Sequence, residues 1–88
     1  MAEITMYTSD RCPFCMRAKG LLDSKGVEYE QIHIALDDVE ARQRIHELTG
    51  QMTVPQVIVD GRPLGGWTEL SALESAGELD ALLGTGAD

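Results

Sequence analysis

The 88-residue chain is 43% apolar and 25% charged, the balance of a globular core and not of a disordered or fibrous chain, and its length leaves room for one domain, residues 1–88. Fifteen acidic against seven basic residues give a net charge of −8, which opposes nucleic-acid binding because that binding draws on phosphate neutralisation by Lys and Arg. No segment approaches the ~20 apolar residues of a membrane span, and the first ten residues lack the basic start and apolar run of an export signal, so a cytoplasmic location is expected, with no membrane partner.

Residues Ile4 to Thr8 mix β-branched and aromatic types and run into the turn-forming Ser9 and Asp10, which predicts a strand. A helix follows. Pro13 suits its first position, Cys15, Ala18 and Leu22 share one face, and Lys25 and Gly26 end it. Between Arg11 and Gly26, four basic residues (Arg11, Arg17, Lys19, Lys25) face one acid, Asp23, so the segment is +3 and should attract an anionic thiol.

Val27 to Ile34 reads as an edge strand, with Glu28 and Glu30 discouraging pairing with another chain. Asp37 or Asp38 caps a second helix with Ala41, Ile45 and Leu48 on its buried face and Arg42, Gln43 and Arg44 in water, ending before Gly50. After Pro55, Val57 to Val59 form a buried strand. Asp60 and Gly61 then signal a tight hairpin leading to a short strand near Leu64. Thr68 is placed as the cap of a helix carrying Leu70 and Leu73; Gly77 interrupts it, and Leu79, Leu82 and Leu83 make a final turn before a loose tail, 84–88. The order β, α, β, α, β, β, α implies a mixed central sheet with helices on both faces.

Cysteines three positions apart close too small a loop to staple a fold, so Cys12 and Cys15 are chemical or metal-binding. A strand-to-helix turn puts Cys12 at the helix N-cap, beside unpaired backbone N–H groups and the cation of Arg11. Such surroundings favour a thiolate, so Cys12 is the expected nucleophile. Cys15, one turn inside the helix and shielded, suits the resolving role. Zinc would need two further ligands; the sequence has no second cysteine pair, and His33 and His46 stand thirteen positions apart on different elements, so no metal is expected.

The stretch Thr8 to Cys15 (TSDRCPFC), the loop Thr53, Val54, Pro55, the paired Gly65 and Gly66, and Trp67, Thr68, Glu69 together resemble the glutaredoxin family, over nearly the whole chain from Ile4 to Leu83. The resemblance implies an α/β, thioredoxin-like fold with a central four-stranded mixed β-sheet flanked by helices. It also implies a glutathione-dependent oxidoreductase that reduces protein disulfides and glutathione mixed disulfides. In relatives the proline equivalent to Pro55 is cis, and the Val54 backbone would pair with the cysteinyl unit of glutathione. Thr53 belongs to the same loop, Phe14 would present an apolar surface beside the sulfur, and Gly66 would let backbone approach the ligand.

By the same resemblance Thr68 would meet the γ-glutamyl carboxylate, Glu69 the γ-glutamyl amino group, and Arg11 and Arg42 would supply positive charge. Ser9 stands where many relatives have Lys, Phe14 where Tyr is common, and Met52 lacks a charge found in some of them. Trp67 is larger than the residue usual after the glycine pair, and would cover or crowd a bound tripeptide. The implied partners are glutathione as electron donor and disulfide or glutathionylated client proteins, with no tightly bound cofactor and a monomeric chain. Two alternatives remain open at this point: an iron-sulfur carrier whose dimer holds a cluster through Cys12 and glutathione, and a redoxin reduced by thioredoxin reductase.

Overall fold

A computed structural model describes residues 3–35, 37–51 and 53–84. The elements run β1 (Ile4–Ser9), α1 (Pro13–Ser24), β2 (Glu30–Ile34), α2 (Val39–Thr49), β3 (Gln56–Val59), β4 (Arg62–Gly65), α3 (Trp67–Ser75) and α4 (Leu79–Leu83). The strands form one mixed sheet in the order β2-β1-β3-β4, with β1 and β2 parallel and the other pairs antiparallel. This is the thioredoxin-like arrangement that the resemblance implies.

The alternation along β1 decides which helices lie where. Ile4 and Met6 are buried, and their register partners Val59 and Val57 lie on the same side. Ala18 and Leu22 of α1, Leu70 of α3 and Leu79 and Leu83 of α4 join them in one core. Helix α2 packs against β4 and buries Ile45 outside that cluster. Among the described residues no helix is long and apolar enough to cross a membrane.

The hairpin expected at Asp60 and Gly61 is present. Both residues have positive φ, 52° and 78°, and Val59 pairs directly with Arg62, which defines a two-residue turn. Asp60 also closes onto β1: its backbone N–H donates to the Glu3 carbonyl at 2.8 Å, and its Oδ1 accepts the Glu3 N–H at 2.8 Å.

Several expectations change. The second strand begins at Glu30, not Val27, because Val27 and Tyr29 pack on the core from a connection outside the ladder, where the Tyr29 hydroxyl donates to Asp23 Oδ1 at 2.7 Å. Burial, with that bond, pushes the phenol up to about 12. Leu48 is 47% exposed, whereas Ile45 is buried and Thr49 partly so. Arg42 is half-buried, whereas Gln43 and Arg44 lie in water. The interruption expected at Gly77 is present: at φ 75° it separates α3 from the short helix Leu79–Leu83. The start of α3 does change: its N-cap is Gly66, which puts Thr68 inside the first turn. The tail residues 85–88 lie outside the described residues.

Lys25 also departs from its expected part. It caps the far end of α1, about 18 Å along the helix from Cys12. There its Nζ pairs with Glu74 Oε1 at 2.7 Å and Asp80 Oδ1 at 2.9 Å, tying α1 to α3 and α4. The bond to Glu74, then that to Asp80, holds the ammonium above its ordinary range. Of the segment's cations, Arg11 directly precedes Cys12 and Arg17 lies over the Phe14 ring.

Candidate active site

The active-site turn is held by the ends of two strands. The hydroxyl of buried Ser9 donates to the Ile34 carbonyl at 2.6 Å, joining β1 to β2 where both stop. One residue on, Asp10 Oδ1 lies 2.8 Å from His33 Nε2, so His33 braces the turn from β2. Arg11 then takes a left-handed conformation, φ 50°, uncommon for a residue with a side chain, and its side chain is exposed. That reversal delivers Cys12, in extended conformation, to the N-cap of α1.

Cys12 Sγ accepts the backbone N–H of Cys15 at 3.1 Å, one of the donors that the first helical turn leaves without a carbonyl. Pro13 at the first helical position has no N–H to lose there. In the structure Cys12 and Cys15 are joined as a disulfide, with Cα atoms 5.1 Å apart. Cys12 is partly accessible; Cys15 is buried on the core side of α1. The asymmetry matters chemically, because an incoming disulfide can reach the first sulfur in line and the second only after the first has reacted. A donated N–H and the positive end of the helix stabilise the thiolate form of the first sulfur once the bridge is opened.

Across from α1, the Val54–Pro55 peptide bond is cis, as the resemblance implies, and Pro55 is buried. The Val54 carbonyl oxygen lies 3.7 Å from Cys12 Sγ. A groove of about 290 Å³ opens beside this pair. Phe14 forms one wall, Thr53, Val54 and Pro55 another, and Gly66, Thr68 and Glu69 a third. Seven of the expected ligand residues are thus brought together, whereas Arg11 and Arg42 do not line the groove. Met52 lies outside the described residues. A larger concavity, about 680 Å³, lies between the start of β1, the α1–β2 connection and the end of α4; none of the expected ligand residues lines it.

The third wall depends on a close backbone approach. A Cβ on Gly66 would stand 2.9 Å from the Pro55 carbonyl oxygen, nearer than real Cβ contacts come. Glu69 Oε1 accepts the Gly66 N–H at 2.7 Å, half of a capping box whose other half needs a side chain that glycine lacks. Glu69 therefore holds the junction as well as presenting charge. Trp67 is half-buried, packs on the core and lines the groove.

Three participants were not singled out from the sequence. The Arg17 guanidinium lies 5.3 Å from the centroid of the Phe14 ring, which is itself 51% exposed beside the sulfur. The spacing i, i+3 on a helix is the signal that finds this pair. Gln51 lines the groove, and Gln56 stands behind it with no exposed surface. An amide inside the apolar run before Val57 is the mark that Gln56 leaves in the sequence.

Known proteins with this arrangement agree. The glutaredoxin family model matches residues 4–64. Glutaredoxin 3 of Escherichia coli K12 is 41% identical over 83 residues, covering 94% of this chain and 99% of its own. The solution structure of glutaredoxin from Brucella melitensis superposes with a TM-score of 0.82 at 41% identity, over 100% of this chain and 95% of that one. A buckwheat glutaredoxin–glutathione complex gives a TM-score of 0.82 at 28% identity, over 94% of this chain and 77% of that one. With its cysteine pair at the helix start and its cis-proline opposite, this chain belongs to the glutaredoxin family.

Proposed function

We propose that the protein is a glutathione-dependent thiol-disulfide oxidoreductase in which Cys12 is the nucleophile and Cys15 the resolving thiol. The observation that carries this reading is the placement of Cys12 Sγ, on the Cys15 N–H at 3.1 Å and beside the carbonyl of Val54, a residue that lines the groove. On a glutathionylated protein, the Cys12 thiolate attacks the glutathione sulfur. That S–S bond breaks, the protein thiolate leaves and takes a proton, and glutathione remains on Cys12. A second glutathione thiolate then attacks the bound glutathione, forming glutathione disulfide and restoring Cys12. On a protein disulfide, Cys12 forms the mixed disulfide, and Cys15 attacks Cys12 Sγ, releasing the reduced target and leaving the bridge seen in the structure. Two glutathione molecules supply the two electrons that reopen it.

Glutathione fits the groove by its chemistry. Its cysteinyl unit pairs with the Val54 backbone as an added strand does. Its γ-glutamyl carboxylate takes the N–H groups and hydroxyl near Thr68, within the first turn of α3, where the helix dipole favours an anion. Glu69, anchored through one oxygen to Gly66, lies near the γ-glutamyl ammonium. Phe14 covers the sulfur, and Arg11 and Arg42 act from outside the groove on the remaining carboxylate. The protein works as a monomer on client proteins in the cytoplasm.

Turnover of a glutathionylated peptide, with NADPH and either glutathione plus glutathione reductase or thioredoxin reductase alone, tests the reading. Activity is expected only in the glutathione arm. Equal or greater activity with thioredoxin reductase would replace glutathione as the donor.

A further inference from the structure

We infer that Gln56 is a positioning residue that fixes the Gln51–Thr53 wall for glutathione, an inference that rests on the glutathione reading of the groove. Gln56 opens β3, directly after Pro55, and has 0% exposure. Its Nε2 donates to Gln51 Oε1 at 2.9 Å and to Thr53 Oγ1 at 3.3 Å. Both partners are exposed and line the groove. The chain of bonds continues away from the groove, for the Gln51 N–H donates to Thr49 Oγ1 at 3.1 Å and the Thr49 hydroxyl donates to the Ile45 carbonyl at 2.8 Å. One buried amide thus links two surface side chains to the end of α2. The same Nε2 lies 3.8 Å from where a Gly66 Cβ would stand, so Gln56 backs both sides of the groove.

The stability of the fold does not account for this amide. Gln56 begins the run Gln-Val-Ile-Val, in which a long apolar side chain would bury no polar atom. Its Oε1 is buried with no hydrogen-bond partner among the described residues, an arrangement that costs stability and calls for a reason. Turning the amide over exchanges donor and acceptor but joins the same three side chains and leaves the NH₂ group orphaned, so the cost stays. What the amide supplies is restraint. Free Gln and Thr side chains lose rotamer entropy when a ligand orders them, and Gln56 imposes that order before glutathione arrives.

Gln56→Met keeps length and burial while removing the bonds. The expected result is a KM for glutathionylated peptide raised roughly 5- to 10-fold with kcat within about twofold, the pattern of lost ground-state and transition-state binding together. The single-turnover rate of the reduced variant with 4,4′-dithiodipyridine, which needs no glutathione, is expected to match wild type. Gln51→Ala, altered at an exposed position, should raise KM similarly even if Gln56→Met folds poorly, and the two changes combined should add less than their sum. A KM within twofold of wild type would overturn the inference, as would a parallel fall in kcat and in the dithiodipyridine rate. A wild type that fails to turn over the glutathionylated peptide at all is a different result, and removes the glutathione reading itself.

Discussion

Cys12→Ser is expected to lose glutathione-dependent turnover by at least ~10³-fold, because a hydroxyl at the α1 N-cap neither ionises at neutral pH nor forms a disulfide. Cys15→Ser should behave differently on two substrates. Glutathionylated peptides need only Cys12, so turnover should stay within several-fold of wild type. Protein disulfides need the second sulfur to displace the target, and their reduction should fall sharply. The difference follows from burial: Cys12 is partly accessible, whereas Cys15 is buried on the core side of α1 and meets only Cys12. Steady-state assays of the two variants on the two substrates check it. A Cys12→Ser variant that kept its activity would reassign the nucleophile.

Gly66→Ala carries the second large effect. The backbone there, φ −95° and ψ −158°, is open to any residue, so the penalty is contact and not conformation. The added methyl meets the Pro55 carbonyl at 2.9 Å, and neither backbone segment yields easily, since Pro55 is buried and the Gly66 N–H is held by Glu69. Overpacking of this kind costs roughly 1–3 kcal/mol. At about 4–8 °C per kcal/mol for a domain of this size, thermal unfolding should register it. The wall formed by Gly66, Thr68 and Glu69 should also move away from Pro55, so KM for the glutathionylated substrate should rise with the loss of stability. Gly20→Ala is the matched control: nothing lies within 4 Å of its Cβ position, and alanine in an exposed helix interior should stabilise by roughly 0.5–1 kcal/mol.

Local signals in the sequence are legible where one residue's chemistry settles one position. Asp60 and Gly61 specify a left-handed two-residue turn wherever the strands lie, and Pro13 with Cys12 specifies a helix start. The Cys15, Ala18, Leu22 stripe names the buried face of α1 without reference to what covers it. Positions settled by a distant partner were not legible. Thr68 is a good cap by type, yet the close approach of Gly66 to Pro55 moves the start of α3 back by two residues. Lys25 counts toward a basic segment in the sequence, but α1 carries it to the far end and Glu74 and Asp80 hold it there. Gln56 has no motif of its own; its part in the groove exists only once Gln51, Thr53 and Gly66 have been folded around it.

Function depends on an accessible, ionised sulfur at the start of α1, and the pH dependence of Cys12 alkylation by iodoacetamide tests for it most directly. The measurement is made on reduced Cys15→Ser, which leaves a single thiol. The predicted profile keeps its full rate through neutral pH, with a midpoint well below the ordinary thiol value of about 8.5. A midpoint at or above that value, or a thiol that reacts only on unfolding, would contradict the assignment.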